Sequence, residues 1–301
     1  MTGTTTQAGS RFGLSVALVT PFTADAAIDH ERLVSHAEWC LGHGCDSITL
    51  FGTTGEGASI GLAGRQQMLG ALAGHGIAAR DVVAGVAAAS LHETVEQARL
   101  ALDFGCKGLL LAPPFYFKGV SDEGLFRWFA KVLETLGPKA RDVILYHIPS
   151  VTAVGISIGL IDRLRAAFPG VVTGVKDSSG DAANTQALLD RHGDLAILVG
   201  DERQLAAAVR NGAQGTICGM ANFAPALIRP VAIEGRDDPR VKEIVDMILE
   251  LPVTPAVKAL VAHKLGDPDW LHARPPLEAL PEAEARRLGA AFDRIMEARA
   301  A

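Results

Sequence analysis

The sequence predicts an α/β protein: a (β/α)8 TIM barrel followed by a C-terminal helical appendage. Eight short β-branched runs alternate with longer amphipathic stretches over about 220 residues, which is the pattern of repeated β-α units. Several amphipathic stretches end in glycine just before a strand, in joints such as "HGCDSITL" and "FGCKGLLL", as helix C-caps do. Beyond residue 225 or so the β-branched runs stop and only helical patterning continues.

The elements can be assigned in order along the chain. The predicted strands are residues 15–20, 47–50, 81–87, 108–113, 142–149, 171–177, 196–201 and 215–219. The clearest predicted helices are 29–44, 92–105 and 201–212, each of which ends in glycine. A doubly wound open sheet is the competing fold, but the first strand leads into "VTPFTADAAIDH", which is not a glycine-rich nucleotide loop.

These elements divide the chain into three parts. We expect a disordered N-terminal tail at 1–12, the barrel at 13–225 and the helical domain at 226–301. The length of 301 residues suits a single barrel with an appendage.

Composition excludes several classes of function. A net charge of -6 disfavours nucleic-acid and anionic-membrane partners, and no apolar run is long enough to span a membrane. The N-terminus lacks the apolar core of a secretory signal, so we expect a cytoplasmic protein. The cysteines show no CxxC spacing and are expected to be reduced core thiols: Cys40, Cys45, Cys106 and Cys218. No metal site and no cofactor are predicted.

Lys176 lies in "GVKDSSG", at the end of the sixth predicted strand. The carboxyl ends of barrel strands open onto the face where active sites form. A lysine there can snorkel to the rim or pair with Asp177. Alternatively, desolvation can leave it as a neutral amine that attacks a ketone to form a Schiff base. Spacing alone leaves both interpretations open.

Tyr146 lies in "LYHIP", at the end of the fifth predicted strand. A tyrosine in an apolar strand is most simply a core residue whose hydroxyl is satisfied. Strands five and six are neighbours in a barrel, however, so the phenol is predicted to lie beside Lys176, where it could transfer a proton. His147 is predicted to point to the other face.

Two loops on the same face have distinctive sequences. In "FGTTGEG" (51–57), the glycines permit positive φ and expose successive amides that could bind a carboxylate, and Thr53 and Thr54 add hydroxyl donors. The same residues also make ordinary turns. In "APPFYF" (112–117), two prolines stiffen an aromatic loop that carries Tyr116.

Taken together, these motifs resemble the family of dihydrodipicolinate synthase and N-acetylneuraminate lyase, which are class I Schiff-base aldolases. The matching segments are "ALVTPF", "FGTTGEG", "APPFY", "ILYHIP", "GVKDSSG", "GDE" and "GTICGMAN", in the family's order over the barrel. The resemblance implies a homotetramer of (β/α)8 barrels. It also implies that Lys176 forms an imine with pyruvate or another 2-keto acid and that Tyr146 shuttles protons.

The resemblance also implies roles for other residues. Thr53 would relay protons between Tyr146 and Tyr116, the latter reaching in from a neighbouring subunit. Thr54 would bind the carboxylate of the keto acid, with Gly52 and Gly55 in the same loop, and the main chain of Ile217 would lie near the imine carbon.

The sequence departs from the family pattern in two places. Dihydrodipicolinate synthases carry an arginine where this chain has Val151, and the usual asparagine after the two aromatics is replaced by Phe117. Loss of the arginine removes a charge-assisted contact to the carboxylate of aspartate semialdehyde. A polar sugar-binding rim like that of the sialic-acid lyases is not apparent in the sequence.

The predicted function is therefore that of a pyruvate-type lyase acting on a 2-keto-3-deoxy sugar acid as an aldolase. The alternatives are a 2-keto-3-deoxy acid dehydratase on the same imine, a 4-hydroxy-tetrahydrodipicolinate synthase, and a non-catalytic protein that binds keto acids. The presence of all five polar groups argues against the last: Lys176, Tyr146, Thr53, Thr54 and Tyr116.

Overall fold

A closed parallel barrel forms the centre of the molecule. The computed structural model describes residues 11–298. Within that range eight parallel strands pair in sequence order, and the first pairs with the last. They are β1 (Gly13–Ala17), β2 (Ser47–Leu50), β3 (Val82–Val86), β4 (Gly108–Leu111), β5 (Val143–His147), β6 (Val172–Asp177), β7 (Ala196–Val199) and β8 (Gly215–Cys218). The predicted (β/α)8 barrel is confirmed.

Helices surround the barrel and continue beyond it. Those of the described chain are α1 (His30–Gly42), α2 (Leu62–Gly74), α3 (Leu91–Phe104), α4 (Asp122–Leu136), α5 (Pro149–Thr152), α6 (Ile158–Ala167), α7 (Ala182–His192), α8 (Glu202–Arg210), α9 (Pro225–Glu234), α10 (Pro239–Leu249), α11 (Val253–Leu265) and α12 (Glu282–Glu297). Short 3₁₀ turns lie at Gly57–Ser59, Ala79–Asp81, Gly137–Lys139, Met220–Asn222 and Pro268–Leu271.

Local sequence explains where many helices begin and end. Asp29, Ser90 and Ser121 each accept a hydrogen bond from an amide in the first turn of the helix that follows, so that a helix starts at each of them. Gly105 ends α3 in the left-handed region, with φ of 87°. Several predicted strands are longer than the observed ones because their last residues leave the sheet to form the loops of the active face.

The segments before and after the barrel differ from their predicted boundaries only slightly. Residues 1–10 of the predicted N-terminal tail lie outside the described range, and Phe12 packs under the ammonium of Lys107, 4.9 Å from the ring centroid. Helix α9 packs against β1 and β8 as the eighth helix of the barrel, so the division that we placed after residue 225 falls within its first turn. Helices α10–α12 follow. No helix within residues 11–298 is long and apolar enough to span a membrane.

The strands place chemical groups on two different faces. The interior of the barrel is packed with side chains such as Val83, Leu110 and Leu198. Tyr146 lies opposite Lys176 in the β5–β6 register, and His147 lies opposite Asp177. Because side chains alternate along a strand, the first pair faces the barrel interior and the second faces the surrounding helices.

Candidate active site

Three polar groups meet where β5 and β6 end. The Lys176 Nζ lies 3.4 Å from the Tyr146 hydroxyl and 4.5 Å from the centroid of its ring. The same hydroxyl lies 3.4 Å from Thr53 Oγ1. These distances are longer than optimal hydrogen bonds, as is common in sites without substrate. The prediction that the phenol of Tyr146 lies beside Lys176 is confirmed.

Lys176 is buried and does not pair with its neighbour in sequence. Its exposed fraction is only 5%, which rules out a lysine extended to the rim. Asp177 points away from it and accepts hydrogen bonds from Asn184 Nδ2 at 2.9 Å and Thr185 Oγ1 at 2.8 Å. Within the part of the chain that the structure describes, Lys176 forms no ion pair. The amine therefore faces the phenol and a cavity.

His147 faces outward, as predicted. Its Nδ1 accepts a hydrogen bond from the Ile156 amide at 2.9 Å. Burial lowers the pKa of His147, and the nearby Asp177 carboxylate partly opposes that effect. The imidazole thus joins β5 to the loop before α6 and has no contact with the cavity that holds Lys176.

The left-handed residues of the loop 51–57 are not its glycines. Gly52, Gly55 and Gly57 permit positive φ, but none of them adopts it. The left-handed residues of the loop are Phe51, with φ of 60°, and Glu56, with φ of 53°. Such backbone is costly for side chains of this size, so surrounding contacts must hold both residues in place.

Two of these glycines are needed because another backbone segment lies too close to leave room for a side chain. A Cβ at Gly55 would lie 2.6 Å from the Leu18 carbonyl oxygen, and one at Gly57 would lie 1.9 Å from that of Phe51. Gly52 has open space around its Cα. Steric crowding, not dihedral freedom, is therefore the reason for glycine at positions 55 and 57.

Some amides of the loop are used in its own turns, and others are not. The Glu56 N–H donates to the Thr53 carbonyl at 3.0 Å and closes a tight turn. The N–H groups of Thr53, Thr54 and Gly55 bond to no acceptor among residues 11–298. This is the part of the loop in which amide donors remain for an anion.

Arg65 of α2 binds carbonyl groups of the loop and its surroundings. This residue was not identified from the sequence. Its guanidinium donates to the carbonyls of Gly57 at 2.8 Å, Gly85 at 2.7 Å and Ile60 at 3.0 Å, and lies 4.5 Å from the Phe51 ring centroid. Burial lowers the pKa of Arg65 to about 10. An arginine on an amphipathic helix normally faces solvent, so no local pattern marks it.

A cavity of about 340 Å³ opens above the amine. Lys176, Tyr146, Thr53, Thr54 and Ile217 all line it, so the structure brings together five of the predicted residues. Gly52 lines an adjoining chamber of about 300 Å³ that shares Tyr146 and Thr53 with the first. Gly55, in the same loop, lines neither cavity and packs against the Leu18 carbonyl just after β1.

One wall of the main cavity is polar, although no such rim was apparent in the sequence. It is formed by Ser178, Ser179, Asp201, Glu202 and Arg203. These residues directly follow β6 and β7, and that position on the active face is the signal that could have identified them. The wall offers both hydroxyl donors and carboxylate acceptors to a ligand.

Glu202 is the carboxylate of this wall with the most perturbed environment. Its Oε1 accepts a hydrogen bond from the Met220 amide at 3.3 Å. Burial raises the pKa of Glu202, and hydrogen bonds from backbone amides, among them that of Met220, partly oppose this effect. A carboxyl group with a raised pKa beside a cavity is a candidate for hydrogen bonding to substrate in either protonation state.

The C-terminal helices form the opposite wall, which the sequence did not predict. Val245 and Ile248 of α10 and Val253, Thr254 and Val257 of α11 line the main cavity. The helical appendage is thus part of the site and encloses it.

Tyr116 is not brought to the site within one chain. It is 73% exposed, its ring packs edge-on against Phe117 with centroids 5.2 Å apart, and neither ring lines the two cavities. Val151, by contrast, lines both cavities and is 59% exposed. The aromatic pair stands free on the surface of the chain, next to the active face.

The remaining predicted features concern metals and thiols. Within residues 11–298 no group of three or more histidine, cysteine or acidic side chains is arranged to hold a metal ion. The four cysteines are unpaired and buried, as predicted. Burial raises the pKa of Cys106 to about 11, which makes it an unreactive thiol.

Comparison with known proteins identifies relatives of the whole chain. The model of the Dihydrodipicolinate synthetase family matches residues 11–294. An uncharacterized DapA-like lyase from Chloroflexus aurantiacus is 34% identical over 94% of this chain and 97% of its own length. The 4-hydroxy-tetrahydrodipicolinate synthase from Dechloromonas aromatica is 32% identical over 93% of this chain and 97% of its own length.

Solved structures give the same picture of the fold. Dihydrodipicolinate synthase from Agrobacterium tumefaciens superposes with a TM-score of 0.94 at 50% identity, covering 95% of this chain and 100% of that one. The 2-keto-3-deoxygluconate aldolase of Sulfolobus superposes with a TM-score of 0.83 at 24% identity, covering 94% of this chain and 96% of that one. At that identity the second likeness concerns the fold alone.

Proposed function

Because the chain belongs to the dihydrodipicolinate synthetase family and is a lyase, we propose that it cleaves a 2-keto-3-deoxy sugar acid to pyruvate and an aldehyde. The observation that carries the proposal is the buried amine of Lys176, free of any carboxylate partner within the described chain and 3.4 Å from the Tyr146 hydroxyl. An unpaired buried amine beside a proton donor is the requirement for Schiff-base chemistry.

In the first half of the reaction, the neutral Lys176 amine adds to the ketone carbon of the substrate. Tyr146 donates a proton to the ketone oxygen, and loss of water from the carbinolamine gives a protonated imine. Thr53, whose hydroxyl lies 3.4 Å from that of Tyr146, relays the protons. The substrate carboxylate binds Thr54 and the amides of its loop, near the main chain of Ile217.

In the second half, the imine accepts the electrons of the breaking bond. Tyr146 as phenolate removes the proton of the carbon 4 hydroxyl, the bond between carbons 3 and 4 breaks, and its electron pair moves toward the imine nitrogen. The aldehyde leaves and an enamine remains. Protonation at carbon 3 and hydrolysis of the imine release pyruvate and restore Lys176.

The polar wall of the cavity supports a hydroxylated substrate. Ser178, Ser179 and Glu202 offer donors and acceptors that match a chain of hydroxyl groups. Removing a buried hydroxyl from such partners would leave them unpaired, so the wall is expected to reject aldehydes without hydroxyls.

Synthesis of 4-hydroxy-tetrahydrodipicolinate is the second candidate, which the dihydrodipicolinate synthase at 50% identity favours. That reaction must bind the carboxylate of aspartate semialdehyde, and the position at which the resemblance expects an arginine is the apolar Val151. Arg203 does not replace it, because its guanidinium is held by Asp201 and Asp246. A dehydratase acting on the same imine, which would expel the carbon 4 hydroxyl, remains a third candidate.

Assembly would complete the site. We propose a homotetramer in which Tyr116 of a neighbouring subunit reaches the Thr53 hydroxyl. The exposure of the Tyr116–Phe117 pair within one chain supports this arrangement. Tyr116→Phe should then reduce turnover, although Tyr116 lines neither cavity of its own chain.

Borohydride trapping tests the Schiff base directly. Reduction in the presence of pyruvate should attach a pyruvate-derived group to Lys176, detected by intact mass and peptide mapping. The matched control is Lys176→Met, which should acquire no adduct. An unchanged mass of the parent protein would contradict the proposal.

A substrate panel separates the three candidate reactions. Release of pyruvate from 2-keto-3-deoxy sugar acids supports the aldolase, and consumption of the acid without pyruvate supports the dehydratase. Efficient turnover of pyruvate with aspartate semialdehyde would support the synthase and overturn our interpretation of Val151. In that case Val151→Arg should change the activity little, whereas under our proposal it should increase use of the semialdehyde.

A further inference from the structure

The chain holds a second buried lysine, Lys258 of α11, next to the active-site loop. The Lys258 side chain and that of its ion-pair partner Glu56 are both completely buried. Glu56 belongs to the loop 51–57 and Lys258 to the C-terminal helical domain. The pair therefore joins the appendage to the loop that carries Thr53 and Thr54.

The Glu56 backbone is part of the turn that presents both threonines. It adopts φ of 53°, which few residues other than glycine, asparagine and aspartate adopt readily. Its N–H closes the turn by donating to the Thr53 carbonyl at 3.0 Å. The turn therefore connects Glu56 to Thr53, whose hydroxyl lies 3.4 Å from that of Tyr146.

The side chain of Glu56 is held at both carboxylate oxygens. One forms the ion pair with Lys258, and Oε2 accepts a hydrogen bond from the Arg274 amide at 3.0 Å. Arg274 also donates from Nη1 to the Ser59 carbonyl at 3.0 Å and from Nη2 to the Ala26 carbonyl at 2.6 Å. The C-terminal segment thus holds the active-site loop at Glu56 and just after it at Ser59, and also contacts the loop between β1 and α1 at Ala26.

Lys258 is itself fixed. Its Nζ donates to the His272 carbonyl at 2.7 Å and lies 4.5 Å from the centroid of the Phe22 ring. Burial lowers the pKa of Lys258, and the Glu56 carboxylate opposes that effect. The ammonium has no route to solvent, so its position depends on these contacts.

Buried ion pairs add little net stability because desolvation offsets the attraction, and their best-attested role is to specify one arrangement. We propose that Glu56 and Lys258 are positioning residues for the lyase reaction, which hold the turn so that Thr53 stays within reach of Tyr146. This inference rests on the proposed Schiff-base function and adds that the C-terminal domain sets the geometry of the proton relay. Errors of about 1 Å in such geometry commonly reduce rates by about a hundredfold.

Glu56→Gln is the main test, since it removes the charge and keeps the shape. We expect the rate of pyruvate trapping per folded molecule, measured by borohydride quench at saturating pyruvate, to fall tenfold or more. The turnover number for sugar-acid cleavage should fall with it, while the pyruvate concentration that gives half-maximal trapping changes less than threefold, because the carboxylate-binding amides remain.

Asp267→Asn is the matched control. Asp267 accepts from the Arg32 guanidinium at 2.7 Å, joins the same C-terminal segment to α1 and lines neither cavity. This variant breaks another ion pair of the C-terminal segment and should keep the trapping rate of the parent. A second variant, Glu56→Asp, covers the case in which the Gln variant misfolds. Aspartate keeps the charge and tolerates the left-handed backbone, but its shorter side chain moves the carboxylate away from Lys258. Glu56→Asp should therefore also trap pyruvate slowly.

The outcomes are distinct. Slow trapping by the Glu56 variants with normal trapping by Asp267→Asn supports positioning. Parent-like trapping by both Glu56 variants, with a lowered Tm alone, overturns it and leaves the Schiff-base function intact. A parent protein that traps no pyruvate overturns the function and this inference together.

Discussion

Two lysines are buried within residues 11–298, and they have opposite surroundings. Lys258 is 0% exposed and forms an ion pair with an equally buried carboxylate, Glu56. Lys176 is 5% exposed and faces the Tyr146 phenol and a cavity of about 340 Å³, with no ion pair in the described range. The first is held as a charge within packed protein, whereas the second lies where a ligand can reach it.

The difference shows that burial alone does not decide whether a lysine has a structural or a chemical role. Moving an ammonium out of water is unfavourable in both places. At Lys258 a carboxylate, a carbonyl and an aromatic ring compensate, and the side chain becomes a structural connection. At Lys176 compensation is incomplete, and the amine remains available for reaction with a ketone. The same substitution at the two sites should therefore have different consequences.

The largest effect is expected from Lys176→Met. It should reduce turnover by at least about 10⁴-fold, because the covalent route is removed, while stability changes by less than about 1 kcal/mol or increases. Steady-state kinetics and urea unfolding measure the two quantities. Residual activity within about tenfold of the parent would show that the lysine is not the nucleophile.

Tyr146→Phe should cause the second largest loss of turnover. Removing the hydroxyl deletes the group that transfers protons to and from the substrate, so turnover should fall by about 10³-fold with folding unimpaired. Imine trapping with pyruvate should be slowed as well. Thr53→Val offers a comparison, since it keeps the shape and should cause a smaller loss if Tyr146 is the direct proton donor.

Lys258→Met is expected to act on stability. It leaves the Glu56 carboxylate buried without its ion-pair partner, which should lower the free energy of unfolding by about 3 kcal/mol or more. Adding Glu56→Leu should recover much of this loss, because both charges are then gone. Urea unfolding of the two single variants and the double variant gives the coupling, and strictly additive losses would contradict the ion pair.

His36 of α1 gives the smallest effect and a dependence on pH. Its imidazole is buried, and burial lowers its pKa to about 4 from an ordinary 6.5, with a hydrogen bond to the Asn222 side-chain oxygen partly opposing this. The unfolded chain therefore binds a proton in this window and the folded chain does not. Stability should be complete above pH 6.5 and fall by about 3 kcal/mol toward pH 4.

The variant His36→Gln isolates this contribution. It keeps a polar group near the Asn222 side chain, which lies 3.3 Å from His36 Nε2. Because glutamine does not titrate, the loss of stability between pH 6.5 and 4 should be smaller than in the parent. An unchanged slope would show that other groups cause it.

Much of the site could be predicted because it follows from strand order. Once the sequence is read as a barrel, strands five and six are neighbours, so Tyr146 and Lys176 must lie close together at their ends. The loop after the second strand was predicted on the same face with Thr53 and Thr54, whereas Ile217 was expected there from the family resemblance; all three line the cavity. Sequence reasoning failed for the glycines at positions 55 and 57, since close approach of backbone segments is not visible in a pattern of residue types.

The sequence by itself determined the barrel and the position of the Tyr146 phenol beside Lys176. These follow from hydrophobic periodicity and from the rule that parallel strands end on one face. Only the tertiary structure decided that the C-terminal helices form a wall of the cavity and that Lys258 and Arg274 hold the active-site loop. The Arg274 amide and the Glu56 carboxylate are 218 positions apart, and a lysine in an amphipathic helix has the same local pattern whether it is solvated or buried in an ion pair.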